Sequence, residues 1–310
     1  MMGNDQIEIV MAAYNGMPYI CEQIDSILSQ TDENWHLTVS DDGSTDGTDA
    51  VIEDYAARYP DKVRVVHSGR RFGGAMPHFM WLTEQCDAPY IAYCDDDDTW
   101  RVDKLSKLRE AMRSAEATHG AKMPLLVFSD QMVTDADGAV IAPSLMRYQK
   151  QYFGAFDWRG ILLQNVVTGG AMMINRALAD VALECCSTRD ITMHDCWMAA
   201  VAARFGNIVY IDEPLGTYRQ HGTNSVGAKN VGSLAHIVRK ICGMGEIREA
   251  LQRKKRQAAA FEQTYHSRLT AEERGFLAQF VQARSGPRFY WRNRRLFHDI
   301  YRLAGMMLLG

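Results

Sequence analysis

Residues 89–98 have the sequence PYIAYCDDDD, in which a short apolar run leads directly into four consecutive aspartates. The apolar part predicts a buried β-strand, so that the aspartates lie where the strand ends. Adjacent carboxylates repel one another unless a positive charge lies among them. Because Mg²⁺ and Mn²⁺ prefer carboxylate oxygens, the stretch predicts a divalent-cation site. The alternative is a solvated acidic loop that caps the next helix.

The residues before this stretch alternate between strand-like and helix-like segments. Strands are predicted at 7–13, 36–40 and 63–67. Apolar residues at helical spacing predict the intervening helices, at 20–28 and 51–59. This β-α-β-α-β-α-β order predicts an α/β fold with a parallel, doubly wound sheet.

A second acidic pair, Asp41-Asp42, follows the second predicted strand, and turn-forming residues continue to position 48. In an open α/β sheet, ligands bind outside the carboxyl ends of the strands. We therefore expect this pair and the aspartates at 95–98 to face one ligand site.

The second half of the chain mixes strands and helices. The predicted elements are strands at 125–129 and 207–211, a hairpin turn at 135–138 and a helix at 194–205. Beyond residue 228 the pattern changes to helical segments rich in basic residues. The sequence therefore predicts an α/β domain at 1–228 and a helical C-terminal extension at 229–310.

Composition narrows the class of protein. The chain has 310 residues with ordinary hydrophobic and charged fractions, and its net charge of −4 argues against a nucleic-acid binder. The seven cysteines form no C-x-x-C pair, which disfavours a disulfide scaffold or a cysteine zinc site and fits a reducing cytosol. No signal peptide and no apolar run long enough to cross a bilayer are recognised. We expect a cytoplasmic protein.

Motifs along the chain resemble, in content and order, those of family 2 glycosyltransferases with the GT-A fold. They are MAAYNG at 11–16, DDGSTDGT at 41–48, DDDDTW at 95–100, MHDCW at 193–197 and YRQHGTNSVG at 218–227. The last two resemble the branch that contains bacterial rhamnosyltransferases. The match runs from roughly residue 7 to residue 228, which makes it far more specific than any single motif. It implies a GT-A-like catalytic domain with a Rossmann-like, mostly parallel sheet.

The resemblance implies that the acidic edge binds a nucleotide sugar. The residues implied to contact this donor are Ala12, Tyr14, Asp41, Asp42, Arg71, Asp95 and Asp96. Tyr14 would stack on the base and Asp42 would hydrogen-bond it, while Asp95 would reach the ribose or the metal. The loop with Arg71 and His78 departs from the pattern of this branch, in which asparagines are common at both places.

The resemblance also implies a metal-assisted, inverting transfer. Asp95 and Asp97 form the family's D-x-D pair, Asp97 would ligate Mg²⁺ or Mn²⁺, and His221 would add a metal or diphosphate contact. Asp195 would be the general base that takes the proton of the acceptor hydroxyl. A helix N-terminus tends to lower the pKa of Asp195, so burial or acceptor binding must make it basic enough. Without the resemblance, Asp195 is equally an ordinary helix-terminal charge and His221 a solvated loop histidine.

The residues predicted to line the acceptor or sugar pocket are Thr168, Gly169, His194 and Trp197. The glycines after Thr168 let a backbone approach a sugar closely, although they also suit a plain turn. Trp197 either borders the acceptor or packs behind the acidic motif. Arg219 is a candidate phosphate contact.

The segment 284–302 combines arginines with interleaved aromatic residues. Such a segment is typical of a helix on an anionic membrane surface, which suits a lipid-linked acceptor. It is equally typical of a helix that packs on the catalytic domain with its arginines in water. The protein is therefore expected either free in the cytoplasm or peripheral on the inner face of the cytoplasmic membrane.

Together these features predict an inverting glycosyltransferase that uses a deoxythymidine or uridine diphosphate sugar. The first choice, on resemblance alone, is transfer of rhamnose from dTDP-rhamnose to a bacterial surface polysaccharide or a lipid-linked glycan. The alternative within the fold is a UDP-hexose or UDP-N-acetylhexosamine transferase.

Two other classes compete with this function. A sugar nucleotidyltransferase needs a basic Gly-rich loop near the first strand, where residues 14–18 contain no lysine or arginine. A non-catalytic glycan-binding relative would be expected to lose Asp97 or Asp195, and both are present. A P-loop is excluded because Ala228 occupies the place of its lysine, and no G-x-G-x-x-G follows the first strand.

Overall fold

The computed structural model describes residues 5–151, 156–222 and 244–282, with the backbone alone at 244–247. These residues form an eight-stranded sheet with helices on both faces. The strands are β1 (Ile7–Ala13), β2 (Trp35–Asp41), β3 (Val63–Val65), β4 (Tyr90–Cys94), β5 (Leu125–Thr134), β6 (Val140–Ala142), β7 (Met172–Asn175) and β8 (Asn207–Arg219). Their order is β3-β2-β1-β4-β7-β5-β6, and β8 pairs with β5.

The first four strands are parallel, as their alternation with helices predicted. β1 lies between β2 and β4, so that Ala13 pairs with Asp41 on one side and Met11 with Cys94 on the other. The carboxyl ends of the three strands therefore meet at one edge of the sheet. The residues that follow each strand are brought together there, and the mostly parallel sheet confirms the predicted fold class.

The second half of the sheet is mixed. β7 runs antiparallel to β4 and β5, whereas β8 runs parallel to β5. β5 and β8 extend well past the predicted ends at Ser129 and Ile211. Pro214 and the register shifts around Asp130 interrupt the pattern that marks a strand in sequence. Because β8 continues to Arg219, it returns to the end of β4.

Helices cover both faces of the sheet, and the predicted helix at 194–205 is confirmed with those bounds. The helices are α1 (Ile20–Leu28), α2 (Thr48–Arg58), α3 (Ala75–Glu84), α4 (Lys104–His119), α5 (Leu145–Tyr148), α6 (Trp158–Leu163), α7 (Arg176–Leu183), α8 (His194–Phe205), α9 (Met244–Tyr265) and α10 (Ala271–Gln282). A 3-10 turn at Gly169–Ala171 precedes β7.

Alternate residues of β1 enter two hydrophobic clusters, one on each face of the sheet. Ile9 and Met11 join the cluster under α1, α2 and α4, whereas Val10 joins the cluster under α3, α6 and α8. Across the described ranges, no helix is at once long enough and apolar enough to span a bilayer.

The C-terminal helices α9 and α10 belong to the second of these clusters. Phe261, Tyr265 and Phe280 are fully buried, and the Phe261 ring stacks on Trp158 of α6 with centroids 5.8 Å apart. The described part of the extension therefore packs on the α/β sheet. The segment 284–302 and the boundary at residue 228 lie outside the described residues, so membrane contact and the domain limits stay predictions.

Candidate active site

Carboxylates crowd the end of β4. Burial, reinforced by the negative charge of Asp97, raises the pKa of Asp96 to about 7 and that of Asp98 to about 8. The same two causes raise the pKa of Asp95. Carboxyl groups that resist ionisation in this way favour a positive partner among them.

The end of β8 brings a histidine to Asp97. The Oδ2 of Asp97 lies 2.7 Å from the Nε2 of His221. On its other side the His221 ring packs near Tyr19, with centroids 5.0 Å apart. The two residues predicted to ligate a cation therefore lie together.

The Asp97 carboxylate and the His221 imidazole supply two of the ligands that a divalent cation needs. Mg²⁺ and Mn²⁺ accept such ligands, and Mg²⁺ is often held by one or two carboxylates together with substrate phosphates. Within the described ranges, no group of three or more histidine, cysteine, aspartate or glutamate ligands is assembled. The pair therefore suits a cation whose remaining ligands come from a diphosphate and water.

Arg219 forms hydrogen bonds both with the acidic cluster and with residues of other elements. Its Nε–H donates to the Asp97 carbonyl oxygen at 2.8 Å, and its backbone N–H donates to the Asp98 carboxylate at 2.9 Å. Its guanidinium also donates to Glu22 at 2.6 Å and to the carbonyl oxygen of Ala136 at 3.1 Å. This buried side chain therefore holds the backbone of the cluster, and the phosphate contact that the sequence allowed for Arg219 stays a prediction.

The loop after β1 lies against the same cluster. Ala12 is partly buried in β1, and Tyr14 is 56% exposed, which leaves its ring accessible to a base. The backbone N–H of Tyr14 donates to the Oδ2 of Asp96 at 2.9 Å. A Cβ added to Gly16 would come 2.8 Å from the same oxygen. Asp96 therefore positions Tyr14 through its backbone, a role that the sequence did not indicate.

The second acidic pair organises two loops. Asp41 accepts hydrogen bonds from the backbone N–H groups of Gly43 at 2.8 Å and Ser44 at 2.9 Å. Asp42 accepts them from the backbone N–H groups of Phe72 at 2.5 Å and Gly73 at 2.8 Å. Carboxylate oxygens have further lone pairs. The structure therefore adds a role for Asp41 and Asp42 in holding two loops. Their contact with a nucleotide stays a prediction.

The loop at 68–74 covers the turn after Asp42. Arg71 donates from Nη2 to the carbonyl oxygen of Gly43 at 2.8 Å, and its guanidinium fills the space that a side chain at Gly43 would need. Behind the loop, His78 is buried and stacks on Phe72 with centroids 4.5 Å apart, and burial lowers its pKa. Arg71 and His78, the two residues that depart from the family pattern, therefore both lie at the edge of the sheet that is predicted to bind the nucleotide.

Asp195 lies in the first turn of α8. Burial raises the pKa of its carboxyl to about 6, although hydrogen bonds from Cys196 and from the backbone N–H of Gly169 oppose this. The effect of burial therefore exceeds that of these hydrogen bonds. A carboxyl with this pKa is ionised at neutral pH and still able to take a proton.

A Gly-Gly turn lies between Asp195 and the acidic cluster. A Cβ at Gly169 would come 2.7 Å from the Nε2 of His194, and a Cβ at Gly170 would come 2.8 Å from the Oδ2 of Asp95. A side chain at either position would therefore force His194 or Asp95 to move. Because the Gly169 N–H also reaches Asp195, the turn connects the candidate base with the carboxylates after β4.

Lys104, the first residue of α4, contacts this turn. Its Nζ donates to the carbonyl oxygen of Gly170 at 2.6 Å and lies 3.9 Å from the centre of the Trp100 ring. The side chain is 1% exposed, and burial lowers its pKa to about 8. No motif pointed to Lys104. Its one sequence signal is a position four residues before Leu108, on the buried face of the helix.

His194 is enclosed by aromatic rings beside Asp195. Its ring centroid lies 4.2 Å from that of Phe79 and 5.0 Å from that of Tyr93. Within the part of the chain that the structure describes, neither ring nitrogen has a hydrogen-bond partner, and burial lowers the pKa to about 3. Such groups are rare, and a ligand or a water is a common explanation. Thr168, another predicted pocket residue, is partly buried just before the turn.

Trp197 is buried in the core, which favours the structural one of its two interpretations. Its side chain is fully buried, and its indole N–H donates to the carbonyl oxygen of Ala182 in α7 at 2.9 Å. Its ring stacks on Tyr265 of α9 with centroids 5.8 Å apart. Helix α8 turns this position towards α7 and α9, so the role of Trp197 in the acceptor pocket stays a prediction that its burial argues against.

Helix α9 supports the loop that leads to Asp195. The Oε1 of Gln257 accepts a hydrogen bond from the backbone N–H of Thr192 at 2.8 Å, and Lys254 donates to the carbonyl oxygen of Leu163. Part of the predicted extension therefore belongs to the scaffold of the site.

Comparison with known proteins identifies the family. The family model for glycosyl transferase family 2 matches residues 8–180, more than half of the chain. The chain belongs to glycosyltransferase family 2. This glycosyltransferase is 27% identical to the dTDP-rhamnosyl transferase RfbG of Shigella flexneri, over 97% of this chain and 99% of the relative. It is 29% identical to the putative teichuronic acid biosynthesis glycosyltransferase TuaG of Bacillus subtilis, over 46% of this chain and 55% of the relative.

Solved structures share the fold of this glycosyltransferase. The S. aureus TarS fragment 1–349 in complex with UDP-GlcNAc matches with a TM-score of 0.55 and 14% identity, over 98% of this chain and 90% of that chain. The mannosyltransferase PcManGT from Pyrobaculum calidifontis, in complex with GDP-Man and Mn²⁺, matches with a TM-score of 0.53 and 14% identity. The match covers 98% of this chain and 86% of that chain. These matches confirm the GT-A fold.

Family membership confirms the predicted glycosyltransferase activity in its general form. The donor sugar, the acceptor and the roles of individual residues stay predictions. Sequence patterns missed Lys104 and Gln257, and they predicted Asp96 as a donor contact without indicating its hydrogen bond to the Tyr14 backbone.

Proposed function

We propose that this glycosyltransferase transfers a sugar with inversion from a nucleoside-diphosphate donor to an acceptor hydroxyl, with Asp195 as the general base. The observation that carries the proposal is that a partly buried carboxyl with a raised pKa lies beside the acidic cluster, with the Gly169-Gly170 turn between them. An inverting displacement needs a base on one side of the anomeric carbon and a diphosphate site on the other. This edge of the sheet offers both.

The chemistry is a single displacement. The acceptor oxygen attacks the anomeric carbon while its proton passes to the Asp195 carboxylate. The bond from the anomeric carbon to the diphosphate oxygen breaks, and the diphosphate leaves with the electron pair. A pKa of about 6 suits this role, because Asp195 is ionised at neutral pH before transfer. The Gly169 N–H orients the carboxylate that takes the proton.

Asp97 and His221 would hold the divalent cation, Mg²⁺ or Mn²⁺. When bound, the cation neutralises negative charge on the leaving diphosphate. The chain positions both ligands, because Arg219 holds the backbone of Asp97 and β8 carries His221 to its side. The complex of PcManGT with GDP-Man and Mn²⁺ supports a metal in a protein of the same fold.

The donor would lie along the edge from β2 to β4. Tyr14 offers an exposed ring for stacking on the base, Asp42 offers carboxylate lone pairs, and Arg71 lies over the adjoining turn. Asp95, at the end of β4, would then face the ribose or the metal. The sugar would lie towards the Gly169-Gly170 turn and His194.

We favour rhamnose from dTDP-rhamnose as the donor, and a bacterial surface polysaccharide or lipid-linked glycan as the acceptor. The nearly full-length similarity to RfbG supports the donor, and the similarity to TuaG supports a surface polymer. A UDP-hexose or UDP-N-acetylhexosamine donor is the alternative, which the UDP-GlcNAc complex of TarS supports. Peripheral membrane contact remains a prediction from the sequence.

Thermal melting of the purified protein tests the proposal. A ligand that binds only the folded state raises the melting temperature by mass action. We expect dTDP and dTDP-rhamnose to raise it in the presence of Mn²⁺ and to fail after Asp97→Ala, whereas Asp195→Asn keeps the rise. A rise with UDP and UDP-sugars alone would select the alternative donor. No rise with any nucleotide would overturn the proposal in favour of a non-catalytic relative.

A further inference from the structure

Lys104 is a buried cation that the proposed mechanism leaves unused. An ammonium group in the interior must be compensated by hydrogen bonds and opposite charges. Its Nζ donates to the carbonyl oxygen of Gly170 at 2.6 Å and faces the Trp100 ring at 3.9 Å. The negative charges of Asp98 and Asp95 also act on it. These contacts place Lys104 directly against the Gly-Gly turn.

The Gly169-Gly170 turn lies between Lys104 and the candidate base Asp195. Gly170 accepts from Lys104 through its carbonyl oxygen, and the backbone N–H of the preceding Gly169 lies near enough to the Asp195 carboxyl to lower its pKa. The space beside Gly170 is occupied by Asp95, at 2.8 Å from a Cβ position. A shift of the turn would therefore move the Gly169 N–H relative to Asp195 and change the packing of Gly170 against Asp95 together.

Within the described residues, Lys104 is the side chain that hydrogen-bonds the carbonyl oxygen of Gly170. His194 packs against Gly169, but its ring nitrogens have no hydrogen-bond partner among the described residues. The hydrogen bond from the Ala171 N–H to the Thr168 carbonyl oxygen lies within the turn itself. Lys104 instead links the turn to α4, a separate element that also packs under the sheet.

We propose that Lys104 is a positioning residue for glycosyl transfer. Its ammonium holds the Gly169-Gly170 turn and thereby sets the position of Asp195 relative to the acidic cluster. This inference rests on the proposed function, in which Asp195 is the base. Lys104 acts through the turn and contacts neither the acceptor nor the donor.

Arg109 provides a matched control on the same helix. It is also a buried cation, 7% exposed, and binds the Asp32 carboxylate from Nε at 2.6 Å and from Nη2 at 2.8 Å. Its Nη2 further donates to the carbonyl oxygen of Asn34, just before β2. Arg109 therefore lies at the end of the sheet opposite the site. Its loss removes a buried cation without touching the turn.

The experiment compares Lys104→Met with Arg109→Met in the full chain. Each variant is measured for melting temperature, for binding of dTDP and UDP with Mn²⁺, and for release of the diphosphate from dTDP-rhamnose and UDP-N-acetylglucosamine with water as the acceptor. Hydrogen exchange of the peptide that contains residues 168–172 reports on the turn without any substrate.

We expect Lys104→Met to lower kcat for donor cleavage by about 10- to 100-fold, because small misplacements of a catalytic group have effects of this size. Diphosphate binding should change little, since Asp97 and His221 are held by β8. Exchange at 168–172 should speed up in this variant alone. Arg109→Met should lower the melting temperature and leave kcat and the exchange of that peptide unchanged.

Unchanged kcat or unchanged exchange at 168–172 in folded Lys104→Met would overturn the inference. An equal loss of kcat in Arg109→Met would do the same, because it would assign both effects to stability. If the wild-type protein binds no diphosphate and cleaves no donor, the proposed function fails instead. Should Lys104→Met not fold, Gly170→Ala disturbs the same link from the other side and must give the same loss of kcat.

Discussion

The Oδ2 of Asp97 lies 2.7 Å from the Nε2 of His221, although 124 residues separate them in the chain. β8 makes this contact possible, because it runs beside β5 and ends with Arg219 against the acidic cluster. The hydrogen bond from Arg219 to the Asp97 carbonyl oxygen fixes one member of the pair. The candidate metal site therefore depends on the last strand of the sheet as much as on the aspartates.

Removing either member of this pair should weaken metal-dependent nucleotide binding. We expect Asp97→Ala and His221→Ala each to raise the Kd for dTDP or UDP in Mn²⁺ by about tenfold or more, a usual size for the loss of a metal-site partner. Isothermal titration with and without Mn²⁺ measures the change. Asp212→Ala is the control, because it removes an exposed carboxylate of the same strand that pairs with Arg147. Unaltered binding in both site variants would exclude the pair as the metal site.

The rate of transfer should follow the ionisation of Asp195. Burial raises its pKa to about 6, so the carboxylate is protonated below that pH and cannot accept the acceptor's proton. We expect kcat at saturating Mn²⁺ to rise with pH through about 6 and then to level off. Asp195→Asn should abolish transfer and keep nucleotide binding. Normal turnover by purified Asp195→Asn enzyme would refute the assignment of the base.

Replacing His194 by phenylalanine should stabilise the protein in acid. Because burial lowers the pKa of His194 from 6.5 to about 3, the unfolded chain takes up a proton in this range that the folded protein does not. The free energy of unfolding therefore falls as the pH drops below about 6.5, and His194→Phe removes that loss.

Urea denaturation of His194→Phe and the wild type at neutral and mildly acidic pH measures this difference. At neutral pH we expect equal or higher stability, since the ring nitrogens lack partners among the described residues. Donor cleavage should nevertheless decrease if these nitrogens bind substrate. A large loss of stability at neutral pH would show instead that the nitrogens have partners in the folded protein.

Trp197 should matter for stability and not for the acceptor. Trp197→Ala should lower the free energy of unfolding by about 3–5 kcal/mol, the usual range for a buried aromatic side chain. Trp197→Phe keeps most of the packing between α7 and α9 and should leave the KM for the acceptor unchanged. A specific rise in this KM in Trp197→Phe would restore the role in the pocket that burial argues against.

Sequence patterns predicted the parallel half of the sheet more reliably than the mixed half. β1 and β4 are short runs with buried residues on both faces and an almost continuous apolar pattern, whereas β2 alternates apolar and polar residues. β8 contains Pro214 and polar residues with register shifts, and its true end at Arg219 became visible only from its pairing with β5. The position of His221 beside Asp97 follows from that pairing.

Sequence motifs predicted roles for individual residues, but they gave no sign of contacts between distant segments. Asp96, Lys104 and Gln257 act by hydrogen bonds to the backbone of Tyr14, Gly170 and Thr192, respectively. Because nearly every residue has a backbone N–H and C=O, the identity of the residue that supplies this backbone group does not reveal such a hydrogen bond. Trp197 shows the converse, because a tryptophan beside an acidic motif has the same sequence signature whether it faces a pocket or the core.

The sequence by itself determined the fold class, the acidic edge and the candidate base, because strand periodicity and the order of motifs are local properties of the chain. Only the tertiary structure decided which side chains converge. In the folded chain Asp97 contacts His221, the Gly169-Gly170 turn lies between Asp95 and Asp195, and Trp197 is buried in the core. These outcomes depend on strand register and helix packing, since burial and hydrogen bonding across the fold arise only when distant segments are brought together.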